Sequence, residues 1–177
     1  MSYWNSRGLR GSTFEETINF TNDLYRKKNI ALIQKIPTPI TPVEIDSEKR
    51  VITLGYFEKQ STVDYIGVAS GVPICFDAKE TANKSLPLQN IHFHQIEFMQ
   101  DFEKQGGYAF LLVRFSETDE VFILTLKTLK KYWDCSIAGG RKSIPYSAFD
   151  KNLIVRTGKG FADYIEALGR LGSKNEE

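Results

Sequence analysis

Between Ser61 and Thr81 the chain reads STVDYIGVASGVPICFDAKET. Two β-like runs flank a small-residue turn, the first carrying Thr62 and Asp64, the second Asp77 and Lys79. Residues i and i+2 of a strand point to one face. Thr62 and Asp64 are therefore expected on one face of the first run, and Asp77 and Lys79 on one face of the second. A register that turns these faces to the same side gathers two carboxylates and an ammonium. Two close carboxylates repel, and burial adds a desolvation cost. A divalent cation removes that cost: Mg²⁺ is typically held by one or two carboxylates, with water and phosphate oxygens completing its octahedron. A lysine beside it can hold an attacking water or neutralise charge on a phosphate in the transition state. The set suits hydrolysis of a phosphodiester. D-x-K is a short and common pattern, however. The same residues fit a pair of surface acids with Lys79 as a cross-strand ion-pair partner.

Other candidates carry less. His92 and His94, in HFH, lie two apart, and such residues on a helix do not face each other. They read as surface or first-turn residues. GGRK, ending at Lys142, lacks the spacing of a P-loop. Nothing resembles a nucleophile elbow. Cys75 and Cys135 show no metal-ligand spacing, and free thiols in a cytosolic protein are expected.

The elements around the hairpin follow from periodicity and punctuation. STFE has the form of a capping box, with Ser12 as N-cap and Glu15 three residues on. Phe14, Ile18, Thr21 and Tyr25 then recur at helical spacing, so a helix is expected from Ser12 to about Asn29. Ile30 to Ile36 reads as a strand. PTPITP follows, and proline cannot donate to a sheet ladder, so this stretch should leave the main sheet. RVITLGYFE reads as a returning strand. Residues 37–60 are thus a candidate protrusion tipped by DSEKR, either functional or a surface hairpin without a task. A helix from about Ile91 to Gln105 ends at Gly106 and Gly107, with His92, Gln95 and Met99 on or near one face. YAFLLVRF is a continuous apolar run suited to a central strand, and EVFILTL is its neighbour. KTLKKYWD, YSAFD and FADYIEALGRL suggest short helices. The order is α/β: a mixed sheet with helices against it.

The totals are those of one ordinary domain. The 177 residues are 41% hydrophobic and 25% charged, enough for a sizeable core. No apolar run approaches the ~20 residues of a membrane span, and MSYWNSRGLRGS lacks the apolar stretch of a secretory signal. A cytoplasmic chain is expected. The net charge of +1 does not announce a nucleic-acid binder. The positive charge is clustered, though, at RKK (Arg26 to Lys28), Lys49–Arg50, KTLKK and GGRK. Such patches are either solvated faces or local phosphate-binding surfaces.

Several stretches, in order and over most of the chain, resemble the RecU-type Holliday-junction resolvases of Gram-positive bacteria. They are the N-terminal RG with TFEETIN, KIPTPI, STVDYIGV, FDAKET, LPLQNIHFHQIEFM and GRKSIP. The resemblance implies the restriction-endonuclease-like fold of the PD-(D/E)xK superfamily, as a single nuclease domain in which residues 37–60 form a stalk projecting between two subunits. It implies a homodimer that nicks four-way DNA junctions symmetrically with Mg²⁺ or Mn²⁺, in the nucleoid. Asp64 and Asp77 would be the metal carboxylates, with Thr62 contributing and Gln95 completing the metal site from the following helix. Lys79 matches the lysine assigned to transition-state stabilisation. Related archaeal resolvases place a first-helix glutamate near the metal, which Glu15 matches, leaving it two possible tasks. A strand-exchange recombinase and a branch-migration motor would be partners. The chain departs from the pattern at Asp77, where glutamate is usual. Two readings stand beside this one: a nuclease of the same fold acting on other DNA structures, and a non-catalytic junction-binding regulator.

Overall fold

The computed structural model describes residues 9–57 and 62–172. Its centre is a seven-stranded mixed sheet. Helix α1 (Leu9–Lys27) leads into β1 (Ala31–Lys35), and a hairpin of β2 (Ile40–Asp46) and β3 (Val51–Phe57) follows. Next come β4 (Tyr65–Ala69), β5 (Val72–Thr81), the short β6 (Ser85–Pro87) and helix α2 (Phe93–Lys104). The chain continues through β7 (Tyr108–Phe115), β8 (Glu120–Thr125), helix α3 (Leu126–Ile137) and β9 (Ser143–Pro145). It closes with β10 (Ile154–Gly158), β11 (Phe161–Asp163) and helix α4 (Tyr164–Gly172). The sheet order is β1-β4-β5-β7-β8-β10-β11, with β5 and β7 parallel and the other neighbours antiparallel. The parallel pair arises because α2 carries the chain back across the sheet between them.

Alternation along the central strands supplies two cores. Ile74 and Phe76 of β5 and Phe110 and Leu112 of β7 face α1 and α4, where they meet Phe14, Ile18, Tyr25, Tyr164 and Ala167. Cys75, Leu111 and Val113 face the other way, against Ile96 and Met99 of α2 and Leu126 and Leu129 of α3. The continuous apolar run of β7 is the signature of a strand buried on both faces. Rings of Tyr65, Phe76 and Phe110 stack across three neighbouring strands, with centroids 4.8 and 4.9 Å apart. The Tyr65 hydroxyl donates to Asn19 Oδ1 at 3.0 Å and ties β4 to α1.

The structure revises some local expectations. Helix α1 begins before Ser12, so Ser12 lies inside the helix and not at its N-cap position. Gly11 does not stop the helix, because an interior glycine costs only about 1 kcal/mol. At its other end Asn29 adopts φ 56° and the N–H of Ile30 donates back to the carbonyl of Tyr25, a left-handed cap. KTLKKYWD is part of a full 12-residue helix, α3, with Thr125 as N-cap. YSAFD holds only a 3-10 turn, and FAD is the strand β11 rather than the start of the last helix.

β2 and β3 form a two-stranded sheet of their own, outside the main one. The register shifts between Pro42 and Glu44, where a proline interrupts the ladder. At the tip Asp46 Oδ1 accepts from the N–H groups of Glu48 and Lys49. Every residue of β3 is exposed, including Leu54, Tyr56 and Phe57.

Candidate active site

The hairpin that carries the acids turns on two residues, Ser70 at φ 49° and Gly71 at φ 85°. Both values are left-handed, as a type I′ turn requires. That tight turn sets the register: Ala69 pairs with Val72, and Tyr65 with Phe76. One step further along, Asp64 faces Asp77. The N–H of Asp64 donates to Asp77 Oδ1 at 2.7 Å, and the N–H of Ala78 donates to Asp64 Oδ2 at 3.0 Å. The two carboxylates are thus locked to each other's backbone. The strand itself begins at Tyr65, so Thr62 and Asp64 precede β4 instead of lying within it. Asp64 is still held in extended pairing, because its carbonyl accepts from the N–H of Ile36 at 2.8 Å. Thr62 is exposed, two residues ahead of Asp64.

Asp77 is fully buried, on the face of β5 that Cys75 turns toward α2. Its Oδ2 takes an ion pair from Lys79 Nζ at 2.9 Å and a short hydrogen bond from Gln95 Nε2. Lys79 sits on the same face two residues on, as strand periodicity requires. Gln95 is the third residue of α2. Its Oε1 accepts from the N–H of His92, which caps the helix, and its Nε2 points at Asp77. Both neighbours fix the amide's orientation: reversed, it would set donor against donor and acceptor against acceptor.

Burial and the charge of Asp77 push the Asp64 carboxyl up to about 6, against the pull of the Ala78 N–H and Lys79. The Ala78 N–H and Lys79 thus do not outweigh burial and the Asp77 charge at this carboxyl. Among the described residues no three His, Cys, Asp or Glu side chains converge, so the acidic set is this pair. A pair of carboxylates in a partly desolvated setting is the donor set Mg²⁺ or Mn²⁺ accepts, and the residues fit such a cation.

The structure brings Asp64, Asp77, Lys79 and Gln95 together. Glu15 stands at the edge of the site, where its charge contributes to raising Asp64, and its carboxylate is ion-paired to Lys35 Nζ at 2.5 Å. Lys35 was not legible as part of this region, since only the packing of α1 on β1 brings it to Glu15. The His92 N–H was missed for a similar reason: its role depends on where α2 starts. The rings of His92 and His94 do meet, with centroids 5.5 Å apart and planes within 9°. The helical spacing rule fails because His92 is the extended N-cap, at φ −100° and ψ 145°.

A mixed sheet that brings together Asp77 and Lys79 on β5 and Asp64 just ahead of β4 is an arrangement suited to metal-assisted hydrolysis of a phosphodiester. The particular family follows from comparison: residues 9–170 match the model of recombination protein U, RecU. This chain belongs to that family. It is 47% identical over 148 residues to the Holliday junction resolvase RecU of Pediococcus pentosaceus, covering 81% of this chain and 74% of the relative. Against the protein of the same name from Oceanobacillus iheyensis it is 44% identical over 168 residues, 92% of this chain and 86% of the relative. A Geobacillus relative, again Holliday junction resolvase RecU, is 48% identical over 142 residues, 78% of this chain and 71% of its own. The solved structure of Hjc, a Holliday junction resolvase of Archaeoglobus fulgidus, overlays 85% of this chain and 98% of its own at TM-score 0.46 and 11% identity.

Proposed function

We propose that this protein is an endodeoxyribonuclease that resolves four-way DNA junctions by paired symmetric nicks, working as a homodimer with Mg²⁺ or Mn²⁺. The observation that carries the reading is the convergence of Asp64, Asp77 and Lys79, in a chain of the RecU family. Asp64 and Asp77 would hold the cation, with Thr62 contributing. When bound, the cation polarises the scissile phosphate and lowers the pKa of water. The chain's own groups do the rest. Gln95 holds Asp77 in place through its amide N–H, leaving the carboxylate one orientation. Lys79, largely shielded from solvent, places an ammonium where negative charge grows on the phosphoryl oxygens. In-line attack of water on phosphorus breaks the P–O3′ bond and leaves a 5′-phosphate and a 3′-hydroxyl. Asp77, one methylene shorter than the family's usual glutamate, reaches less far from β5. The β2–β3 hairpin, standing clear of the main sheet, suits contact with the centre of a junction. Lysines and arginines on the surface supply phosphate contacts, so binding should weaken steeply with salt.

The test compares the protein with its Asp64→Asn variant on a mobile synthetic four-way junction and on a linear duplex of matched sequence, with Mg²⁺, Mn²⁺ or chelator. Paired symmetric nicks in the junction alone, lost with chelator and with the variant, are expected. Equal cutting of the duplex would overturn junction selectivity. Tight junction binding without cleavage under either metal would overturn the enzymatic reading.

A further inference from the structure

Between the segment that leads into α2 and the face of α3 that carries Trp133 lies a cleft of about 350 Å³. It is lined by Pro87, Leu88, Gln89 and Ile91 on one side and by Trp133 and Lys142 on the other. Its size is in the range that takes a small planar ligand. The ring of Phe93 stacks with that of Trp133, planes within 22° and centroids 6.5 Å apart, and Phe93 is 55% exposed. The Trp133 indole is set the wrong way round for stability alone. Its Nε1 is buried without a hydrogen-bond partner among the described residues, while the ring lines the cleft. A tryptophan placed only for packing would turn its N–H to a partner or to water. The surroundings are basic: Arg141 and Lys142 are exposed, as are Lys127 and Lys131 on α3. The catalytic set is close in the chain, since Phe93 opens the helix turn in which Gln95 reaches Asp77.

We infer that this cleft is a stacking site for an unpaired nucleobase of a DNA strand bound by this protein, with Trp133 in its wall and the exposed Phe93, which stacks with Trp133, extending the aromatic surface. Every base has a π-face, so such a platform holds a strand without reading its sequence. Gln89 offers an amide donor and acceptor to the base edge. Lys142 lies where the backbone of that strand would pass and contributes a phosphate contact. The inference deepens the nuclease reading and rests on it. Bases at the crossover of a junction come out of their pairs transiently as strands exchange, whereas a continuous duplex keeps them paired and stacked.

The experiment uses intrinsic fluorescence. The chain has two tryptophans, Trp4 and Trp133, so Trp4→Phe leaves Trp133 as the reporter. Full-length Trp4→Phe protein is titrated with oligothymidylate and with an abasic strand carrying the same number of phosphates, and junction nicking is assayed in parallel. Oligothymidylate should quench Trp133, and the abasic strand should bind at least about fivefold more weakly. Adding Phe93→Ala, an exposed position whose loss leaves the fold intact by circular dichroism, should weaken oligothymidylate binding to the abasic level. Lys142→Ala should weaken both strands equally. Equal quenching by the two strands, or oligothymidylate affinity untouched by Phe93→Ala, would overturn the stacking site even if nicking is normal. Loss of junction nicking in the parent protein with quenching intact would overturn the nuclease reading while the cleft stands.

Discussion

Asp64 and Asp77 clasp each other through the backbone: the N–H of Asp64 donates to one, and the Asp77-adjacent N–H of Ala78 to the other. The bonds hold two like charges together across one strand pair, at a place where Lys79 offsets only part of the repulsion.

A pH-dependent stability follows. Asp64 titrates at about 6 in the folded chain, above the roughly 3.9 of an unfolded aspartate. The folded state therefore binds more protons than the unfolded state between these values, and stability falls as pH rises through that window. The loss is complete above the folded value and is on the order of 2–3 kcal/mol. Asp64→Asn should raise the melting temperature by several degrees at pH 8 and leave it unchanged at pH 3.5. Mg²⁺ at pH 8 should stabilise the parent and not the variant. Thermal melts at both pH values, with and without the ion, check this. A variant less stable than the parent at pH 8 would contradict it.

Gln95 joins the start of α2 to the Asp77 carboxylate. Gln95→Ala removes a cap and a buried hydrogen bond together, which should cost about 1–2 kcal/mol. Junction cleavage should fall while junction binding in the absence of metal holds. Chemical denaturation with a gel-shift assay separates the two effects.

Lys79→Ala should lower the single-turnover nicking rate by about 10²–10³-fold. Lys79→Arg should recover part of it, because it restores the charge with different geometry. Junction affinity should change little in either. A rate within a factor of two of the parent's would remove Lys79 from the transition state.

The β2–β3 hairpin makes its own two-stranded sheet. Replacing residues 41–56 by an Asn-Gly turn should leave the melting transition of the body in place. Junction affinity should drop to that for duplex of the same length, as measured by competition binding. Retained junction preference would assign it to another surface.

Gly67 is required by the close approach of β1. A Cβ there would lie 2.2 Å from the Leu32 carbonyl oxygen and 2.6 Å from Ile33 Cα, both backbone atoms. Gly67→Ala should cost about 2–3 kcal/mol by forcing β1 off β4. Because the carbonyl of Asp64 is anchored to the N–H of Ile36 just past β1, nicking should fall with it. Unchanged stability in a denaturant titration would refute this.

The chain's pattern alone marked most of the helices and strands and singled out the candidate site residues, while it misassigned YSAFD and FAD as helical. Alternation in β5 placed Asp77 and Lys79 on one face, because a strand's side chains repeat every two residues. The prolines between Pro37 and Pro42 marked where the chain leaves the main sheet, because they withhold the N–H a ladder needs. Family motifs spread over the chain pointed to the same acids. What residue type and periodicity could not set was decided by backbone geometry and packing. A two-residue turn and its register, not the run of residues around it, put Asp64 opposite Asp77. The start of α2 selected which way the Gln95 amide points and let the rings of His92 and His94 meet. Docking of α1 on β1 gave Glu15 to Lys35. The Gln95–Asp77, Asp64–Asp77 and Glu15–Lys35 contacts join residues 13 to 20 apart in sequence, and their energy does not exist until the elements that carry them have packed.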